Sequence, residues 1–167
     1  MNRALFLDRD GVINIDHGYV HEVEKFHFRD GIFEVCLAAQ KAGMKIIVIT
    51  NQAGIGRGLY SISDFQKLNS HMLNCFSKNN VTISAVYFCP YHPTHGIGHF
   101  KKFSNDRKPS PGMILTACRE HQINPMHSIM IGDKESDKIA AYQAGIRIYI
   151  DASSPEWLLH SISSIKA

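Results

Sequence analysis

At 167 residues, 44% hydrophobic and 20% charged, the chain fits one ordinary globular domain spanning residues 1–167. A net charge of +3 without a Lys/Arg run of patch size suits a small anionic ligand and gives nucleic acid no footing. No apolar run approaches the ~20 residues that span a bilayer, and "ALFL" followed at once by "DRDG" is too short for a signal peptide, so a cytoplasmic, soluble monomer is expected.

Short apolar runs alternate with helical patterns along the chain. "RALFL" runs into Asp8, "MKIIVIT" into Asn51, "ISAVYF" into Cys89, "SIMIG" into Asp133 and "IRIYI" into Asp151. Each is rich in β-branched or large apolar residues, as a strand covered on both faces should be. Asp30 is placed to cap a helix ending before Gly43, and Ser63 with Gln66 forms a capping-box pattern for the next. Ser110-Pro111 and Ser154-Pro155 read as N-cap followed by proline in the first turn, and Gly145 stops the helix after "DKIAAYQA". Strand and helix in alternation predict an α/β fold: a doubly wound, mainly parallel sheet with helices on both faces, Rossmann-like, without an inserted cap domain.

Two long connections break this rhythm, from Arg9 to Arg29 and from Cys89 to Ser110. Their glycines, histidines and aromatics point to function. Of four cysteines, Cys36, Cys75 and Cys118 sit in apolar helical surroundings and read as core thiols. Cys89 instead opens "CPYHPTHGIGH", which places His92, His95 and His99 close behind it. The glycines of "GIGRG" do not make a dinucleotide fingerprint, because the third required glycine falls on Leu59. They read as sites of sharp turning or close backbone approach.

In an open α/β sheet, ligands bind beyond the carboxyl ends of the strands. Those ends carry Asp8-Arg9-Asp10, Thr50-Asn51-Gln52 and Asp133-Lys134 with Asp137 one turn on, and the loop after the third strand delivers Arg107-Lys108. An extended chain would aim Asp8 and Asp10 at one site and Arg9 away from it. Like charges that close need a cation, and carboxylate oxygens suit Mg²⁺. With Lys108 as a point charge and Thr50 as a neutral donor, the set fits a phosphoryl group.

These residues carry a resemblance. "FLDRDGVIN", "VITNQ", "DRKPSPGM" and "MIGDKESD", in that order over nearly the whole chain, resemble the four motifs of the haloacid dehalogenase-like phosphohydrolases. "DHGYVHE" and "TNQAGIGRG" resemble the branch of heptose bisphosphate and histidinol-phosphate phosphatases, and the whole pattern most resembles the heptose 1,7-bisphosphate 7-phosphatases. The resemblance implies a phosphatase in which Asp8 takes the phosphoryl group and Asp10 protonates the leaving oxygen, then activates water. It also implies Mg²⁺ held by the Asp8 carboxylate, the Asp10 carbonyl and Asp133, with Asp137 orienting metal-bound water from behind. Thr50 and Lys108 would stabilise the phosphoryl oxygens. Asp16, His17, Gly18, Tyr19, Asn51, Gln52, Arg107 and Lys134 would recognise the rest of a small phosphorylated sugar, with Arg107 gripping a second phosphate. His21 reads as merely exposed.

Many members of the branch hold a structural zinc in the loop after the third strand, through a Cys-x-His and a Cys-x-Cys pair. Here Cys89 matches the first ligand, but Tyr91, Ser104 and Asp106 stand at the others, so structural zinc is not expected. A site rebuilt from Cys89, His92, His95 and His99 is the less favoured alternative. Alternative functions are a histidinol-phosphate phosphatase, a polynucleotide 3′-phosphatase, and a phosphate-accepting receiver switch. The polynucleotide enzyme lacks support from a basic stripe or stacking aromatics. The receiver lacks an acceptor aspartate on the second or third strand.

Overall fold

The computed structural model describes all 167 residues. Five strands, β1 (Ala4–Leu7), β2 (Lys45–Asn51), β3 (Ala85–Cys89), β4 (Ile129–Gly132) and β5 (Ile148–Asp151), form one sheet in the order β3-β2-β1-β4-β5. Every pairing is parallel, with Phe6 opposite Ile47 and Met130. The chain winds from β1 outward to β3, then returns to β4 beside β1. The order therefore reverses at β1, and the carboxyl end of β1 is where a crevice opens.

Alternation along each strand builds two cores. Leu5 and Leu7 join Ile46, Val48, Ile129 and Ile131 on one face, while Ala4 and Phe6 join Ile47, Ile49 and Met130 on the other. The first face is covered by α1 (Ile32–Lys41), α3 (Ile62–Lys78) and α6 (Trp157–Lys166), through Val35, Leu68, Met72, Phe76 and Trp157. The second is covered by α4 (Gly112–Glu120) and α5 (Glu135–Gln143), through Met113, Ile114, Ala140 and Ala141. Each fully buried Leu, Ile or Phe contributes roughly 1.5–3 kcal/mol, so the sheet is the rigid frame. No helix is long and apolar enough to cross a membrane.

The helix starts differ from the sequence reading by one or two residues. Gly31, at φ 84°, takes the N-cap of α1, so Asp30 lies one residue too early. The capping box of α3 is Ser61 with Asp64, because the helix begins two residues before the Ser63–Gln66 pattern. Pro111 is itself the cap of α4, and Ser154 forms a turn ahead of α6, its carbonyl accepting from Trp157 N–H at 3.1 Å. Gly145 stops α5 as expected, at φ 89°. Cys36 is buried in the first core and Cys118 packs against the second, whereas Cys75 is only half-buried, its sulfur 3.6 Å from His71 Nε2.

"AGIG" forms a short helix, α2 (Ala53–Gly56). A Cβ on Gly54 would come within 2.1 Å of the Tyr60 ring, and one on Gly56 within 2.3 Å of the Pro90 carbonyl oxygen. Close packing therefore explains those two glycines, and Gly58, at φ 73°, supplies the turn. Each long connection contains one 3₁₀ turn, Val23–Lys25 and Gly98–Phe100, and neither builds a cap domain.

Candidate active site

Asp8 continues the β1–β4 pairing by one bond, its N–H donating to Ile131 O at 3.1 Å. There the extended chain ends. The N–H groups of Val12, Ile13 and Asn14 all donate to Arg9 O, a tight turn in place of the extended Asp8–Asp10 segment expected. Arg9 consequently does not point away. It is 1% exposed and folds onto Asp10, donating to both carboxylate oxygens at 3.0–3.2 Å and to Val20 O at 2.6 Å. Asn14 Nδ2 and Gln52 Nε2 complete the hold on Asp10, at 3.0 and 3.2 Å.

Lys108 joins the floor of the site. Its buried ammonium lies 2.8 Å from Asp8 Oδ1 and 2.6 Å from Asp137 Oδ1, and donates to Ile49 O at 2.8 Å. Burial alone would lower the Lys108 pKa, but Asp8 and Asp137 outweigh it and the lysine stays charged. Asn51 fixes the lysine by its backbone, donating to Lys108 O at 2.9 Å and accepting from Lys108 N–H at 3.0 Å. Its side chain is therefore occupied in building the site. Thr50 is buried, its hydroxyl oxygen accepting from Gln52 Nε2 at 2.9 Å.

Asp137 is buried, and both its carboxylate oxygens are engaged by the protein. Its Oδ1 meets Lys108, while Oδ2 accepts from the backbone N–H groups of Asp133 and Lys134 at 3.2 and 3.1 Å. Oxygens of Asp8, Asp133 and Asp137 lie within 4.8 Å of one another. Lys108 is the one buried ammonium beside these three carboxylates, so the ionised floor carries a net charge of −2. Burial, with Asp137 adding to it, raises the Asp8 pKa despite Lys108; burial and Asp8 push Asp133 up to about 6. Asp133 Oδ1 is buried without a hydrogen-bond partner, and a Cβ on Gly11 would sit 2.2 Å from Asp133 Oδ2. An orphaned oxygen, a glycine cradle and an excess of negative charge fit a hard divalent cation such as Mg²⁺. The side chain of Asp10 is not part of that cluster.

Above the floor opens a cavity of about 510 Å³. Asp10, Asp16, Gly18, Tyr19, Asn51, Gln52, Arg107, Lys108 and Lys134 line it as expected. A narrow recess of about 40 Å³ adjoins it, sharing Asp10, Asn51, Lys108 and Lys134 and reaching Asp8 and Asp137. Lys134 Nζ is 3.3 Å from Asp16 Oδ2 and 4.0 Å from Asp133 Oδ2. Arg107, whose pKa burial lowers, donates weakly to Tyr91 O at 3.4 Å. His17 lies outside the cavity, exposed and packed edge-on against His27. His21 does more than face solvent: it stacks on Tyr60 at 4.8 Å, and its Nδ1 is 2.7 Å from Tyr19 O.

Sequence reasoning missed Ala53, Gly54, Tyr60, Pro109 and Ser136 in the lining. Ser136 had a signal, since it opens the helix behind a strand-end aspartate. Tyr60 had none: its hydroxyl reaches Gln52 Oε1 at 2.5 Å only through the fold of α2.

His92 and His95 meet, their ring centroids 4.7 Å apart, but Cys89 and His99 do not join them in a ligand group. Cys89 is buried in the second core, and burial pushes its thiol pKa up. His92 Nδ1 accepts from the backbone N–H groups of Thr94 and His95, at 3.2 and 3.0 Å, and His99 packs on Phe100. Tyr91 carries Lys102 over its ring at 4.0 Å. Tyr91, Ser104 and Asp106 do not fit a tetrahedral thiolate–imidazole site.

Comparison with known proteins agrees with this chemistry. Residues 105–150 match the "HAD-hyrolase-like" family model. The chain is 56% identical over 145 residues to the D-glycero-alpha-D-manno-heptose-1,7-bisphosphate 7-phosphatase of Burkholderia mallei, covering 87% of this chain and 77% of that one. It is 46% identical over 143 residues to the D-glycero-beta-D-manno-heptose-1,7-bisphosphate 7-phosphatase of Vibrio cholerae, covering 86% and 77%. The crystal structure of D,D-heptose 1.7-bisphosphate phosphatase from B. bronchiseptica, complexed with magnesium and phosphate, superposes with a TM-score of 0.76 at 26% identity, covering 86% of this chain and 76% of that one. A had-like phosphatase from Mesorhizobium loti gives 0.91 at 30% identity, covering 99% and 86%. The chain is a phosphatase belonging to the haloacid dehalogenase-like superfamily, in the family of the heptose-1,7-bisphosphate 7-phosphatases.

Proposed function

We propose that this protein is a Mg²⁺-dependent phosphomonoesterase that works through an aspartyl-phosphate and removes the 7-phosphate of D-glycero-D-manno-heptose 1,7-bisphosphate. The observation that carries the reading is a floor of three carboxylates, two of them buried, and one buried ammonium beneath a polar cavity walled by Arg107 and Lys134.

Asp8 attacks phosphorus with the oxygen not engaged by Lys108; the bond to the sugar oxygen breaks and an acyl phosphate forms on Asp8. Asp10, at the cavity edge, gives its proton to the departing sugar oxygen. The same carboxylate then takes a proton from water as that water attacks phosphorus, which returns Asp8 and releases inorganic phosphate. Lys108 and Thr50 stand where the phosphoryl oxygens gather charge, Lys108 fixed by Asn51 and Thr50 by Gln52. Arg9, Asn14 and Gln52 set the direction of the Asp10 carboxylate. The Asp8 and Asp133 carboxylates and the Asp10 carbonyl would hold Mg²⁺, with Asp137 beside them. The ion supplies charge neutralisation for a phosphoryl group among carboxylates.

Arg107 and Lys134 place two more cations on the cavity lining beyond Lys108. A substrate with a second phosphate uses them; histidinol phosphate, with one phosphate and an ammonium, does not. The test is phosphate release with Mg²⁺, comparing kcat/KM for the two substrates on one preparation. The reading expects at least a hundredfold preference for the heptose bisphosphate, about 3 kcal/mol of discrimination. The reverse preference would replace the substrate and leave the catalytic roles standing. Negligible turnover of both would overturn the substrate class.

A further inference from the structure

Arg57 is exposed and does not line the cavity, yet it holds a residue that does. Its Nη1 donates to the Tyr19 hydroxyl, and its guanidinium lies over the Tyr19 ring at 5.3 Å from the centroid. Tyr19 needs such holding. Its φ of 50° is left-handed backbone, which a bulky aromatic residue adopts only when its surroundings impose it. The ring also lies where a Cβ on Gly54 would be 2.9 Å from Tyr19 Cδ1, so it is seated directly on α2.

The short helix that Arg57 caps is anchored on the loop after β3. Ile97 N–H donates to Gly56 O at 2.7 Å, and Gly56 packs against the Pro90 carbonyl. Arg57 thus joins the wall formed by Asp16, Gly18 and Tyr19 to an element fixed on the loop after β3. The remaining hold on Tyr19 runs through His21, which meets Tyr19 O and stacks on Tyr60.

We infer that Arg57 is a positioning residue for substrate recognition: it keeps Tyr19 over α2, and so fixes the wall that meets the part of the substrate remote from the reacting phosphoryl group. This rests on the phosphatase reading of the cavity, but the hold on Tyr19 does not.

Two measurements separate them. First, 3-fluorotyrosine is incorporated and the Tyr19 fluorine resonance assigned by its disappearance in Tyr19→Phe. Arg57→Met is expected to move and narrow that resonance, as a ring released from a fixed environment does. An unchanged resonance would overturn the inference whatever the substrate is. Second, kinetics are compared on heptose 1,7-bisphosphate and on acetyl phosphate, which has only two carbons beyond its phosphoryl group. Arg57→Met should raise KM for the bisphosphate about three- to tenfold with kcat within twofold, and leave acetyl phosphate unaffected. In a Tyr19→Ala background the same substitution should add less than twofold. Losses that multiply would mean that Arg57 touches substrate itself, and equal losses on both substrates would mean a general structural role. Either would overturn the inference. Wild-type protein that turns over acetyl phosphate but not the bisphosphate would instead count against the proposed substrate, with the fluorine measurement still deciding Arg57.

Discussion

The floor of the cavity and its walls are built by opposite means. The floor is made where strands end and α5 begins: Asp8, Thr50 and Asp137 are buried, and Lys108 is held to them through its backbone by the Asn51 side chain. The walls are made by long connections, with Tyr19 44% exposed. They are held by side-chain contacts such as Arg57 on Tyr19 and His21 on Tyr60. A floor fixed by the sheet tolerates little movement, which suits a reaction that needs in-line geometry. Walls fixed by side chains are free to change with substrate without disturbing the chemistry beneath them.

The largest expected effect tests the floor. Asp8→Asn removes the nucleophile and should lower kcat by at least about a thousandfold, in a phosphate-release assay with saturating Mg²⁺. Stability should hold, because Lys108 keeps its 2.6 Å partner in Asp137 and a carboxylate disfavoured by burial has been removed. Substantial remaining turnover would break the assignment of Asp8. A collapse in Tm would instead make Asp8 a structural partner of Lys108.

A smaller effect belongs to the walls. Arg107→Ala should lower kcat/KM for the heptose bisphosphate about 10- to 100-fold, the worth of a charge-assisted contact to phosphate of roughly 1.5–3 kcal/mol. Simple monoesters should lose threefold or less. Equal losses on both would remove Arg107 from recognition of a second phosphate and blur the line between floor and wall.

The third effect is thermal and again concerns the floor. Burial raises the Asp133 pKa from 3.8 to about 6. Between those values the native protein binds the proton that the unfolded chain has released. Without metal, stability should therefore fall as pH rises from about 4 to about 6, then level off. Mg²⁺ favours the ionised carboxylates and opposes the trend. At about 100-fold excess over its Kd it should add about 2.7 kcal/mol, or roughly 5–10 °C of Tm, at pH 7 and much less at pH 4.5. Calorimetry with and without EDTA at the two pH values checks this. A Mg²⁺ effect independent of pH would place the ion away from Asp133.

The same division decided what the sequence could reveal. Strand ends are legible because apolar runs stop at the residue where the sheet stops. Asp8, Asn51 and Asp133 stand at the strand ends where the runs stop. Two features of the floor were hidden. Arg9 turns onto Asp10 because the chain leaves the strand after Asp8, and a two-residue alternation rule has no knowledge of that turn. Asp137 meets Lys108 and the backbone of Asp133 because α5 begins immediately behind Asp133 and points its first turn into the crevice. The walls were only partly legible. Tyr19 belongs to a motif, but its partner Arg57 lies 38 residues away in sequence and meets it only once α2 has folded. His17, two residues before Tyr19 and chemically suited to the task, lies outside the cavity lining and packs on His27.

The smallest effect lies in neither region and calibrates both. Two serines stand at the start of α3, and only Ser61 caps it: its Oγ accepts from Asp64 N–H at 3.1 Å, while Ser61 N–H and Oγ donate to Asp64 Oδ2 at 2.9 and 2.7 Å. Those bonds hold the Asp64 carboxyl below its usual pKa. Ser61→Ala should cost about 1 kcal/mol, a loss of roughly 2–4 °C in Tm. Ser63→Ala should stay within about 0.5 kcal/mol, as surface substitutions do. Neither should alter kcat or KM, since no residue of α3 lines the cavity and its Phe65 packs beside Arg9 from behind the site's lining. Equal losses from the two serines would move the helix start back to the Ser63–Gln66 pattern. A fall in kcat from Ser61→Ala would show that the cap also steadies the preceding Tyr60, and through Gln52 the Asp10 carboxylate. The walls would then no longer be independent of the floor.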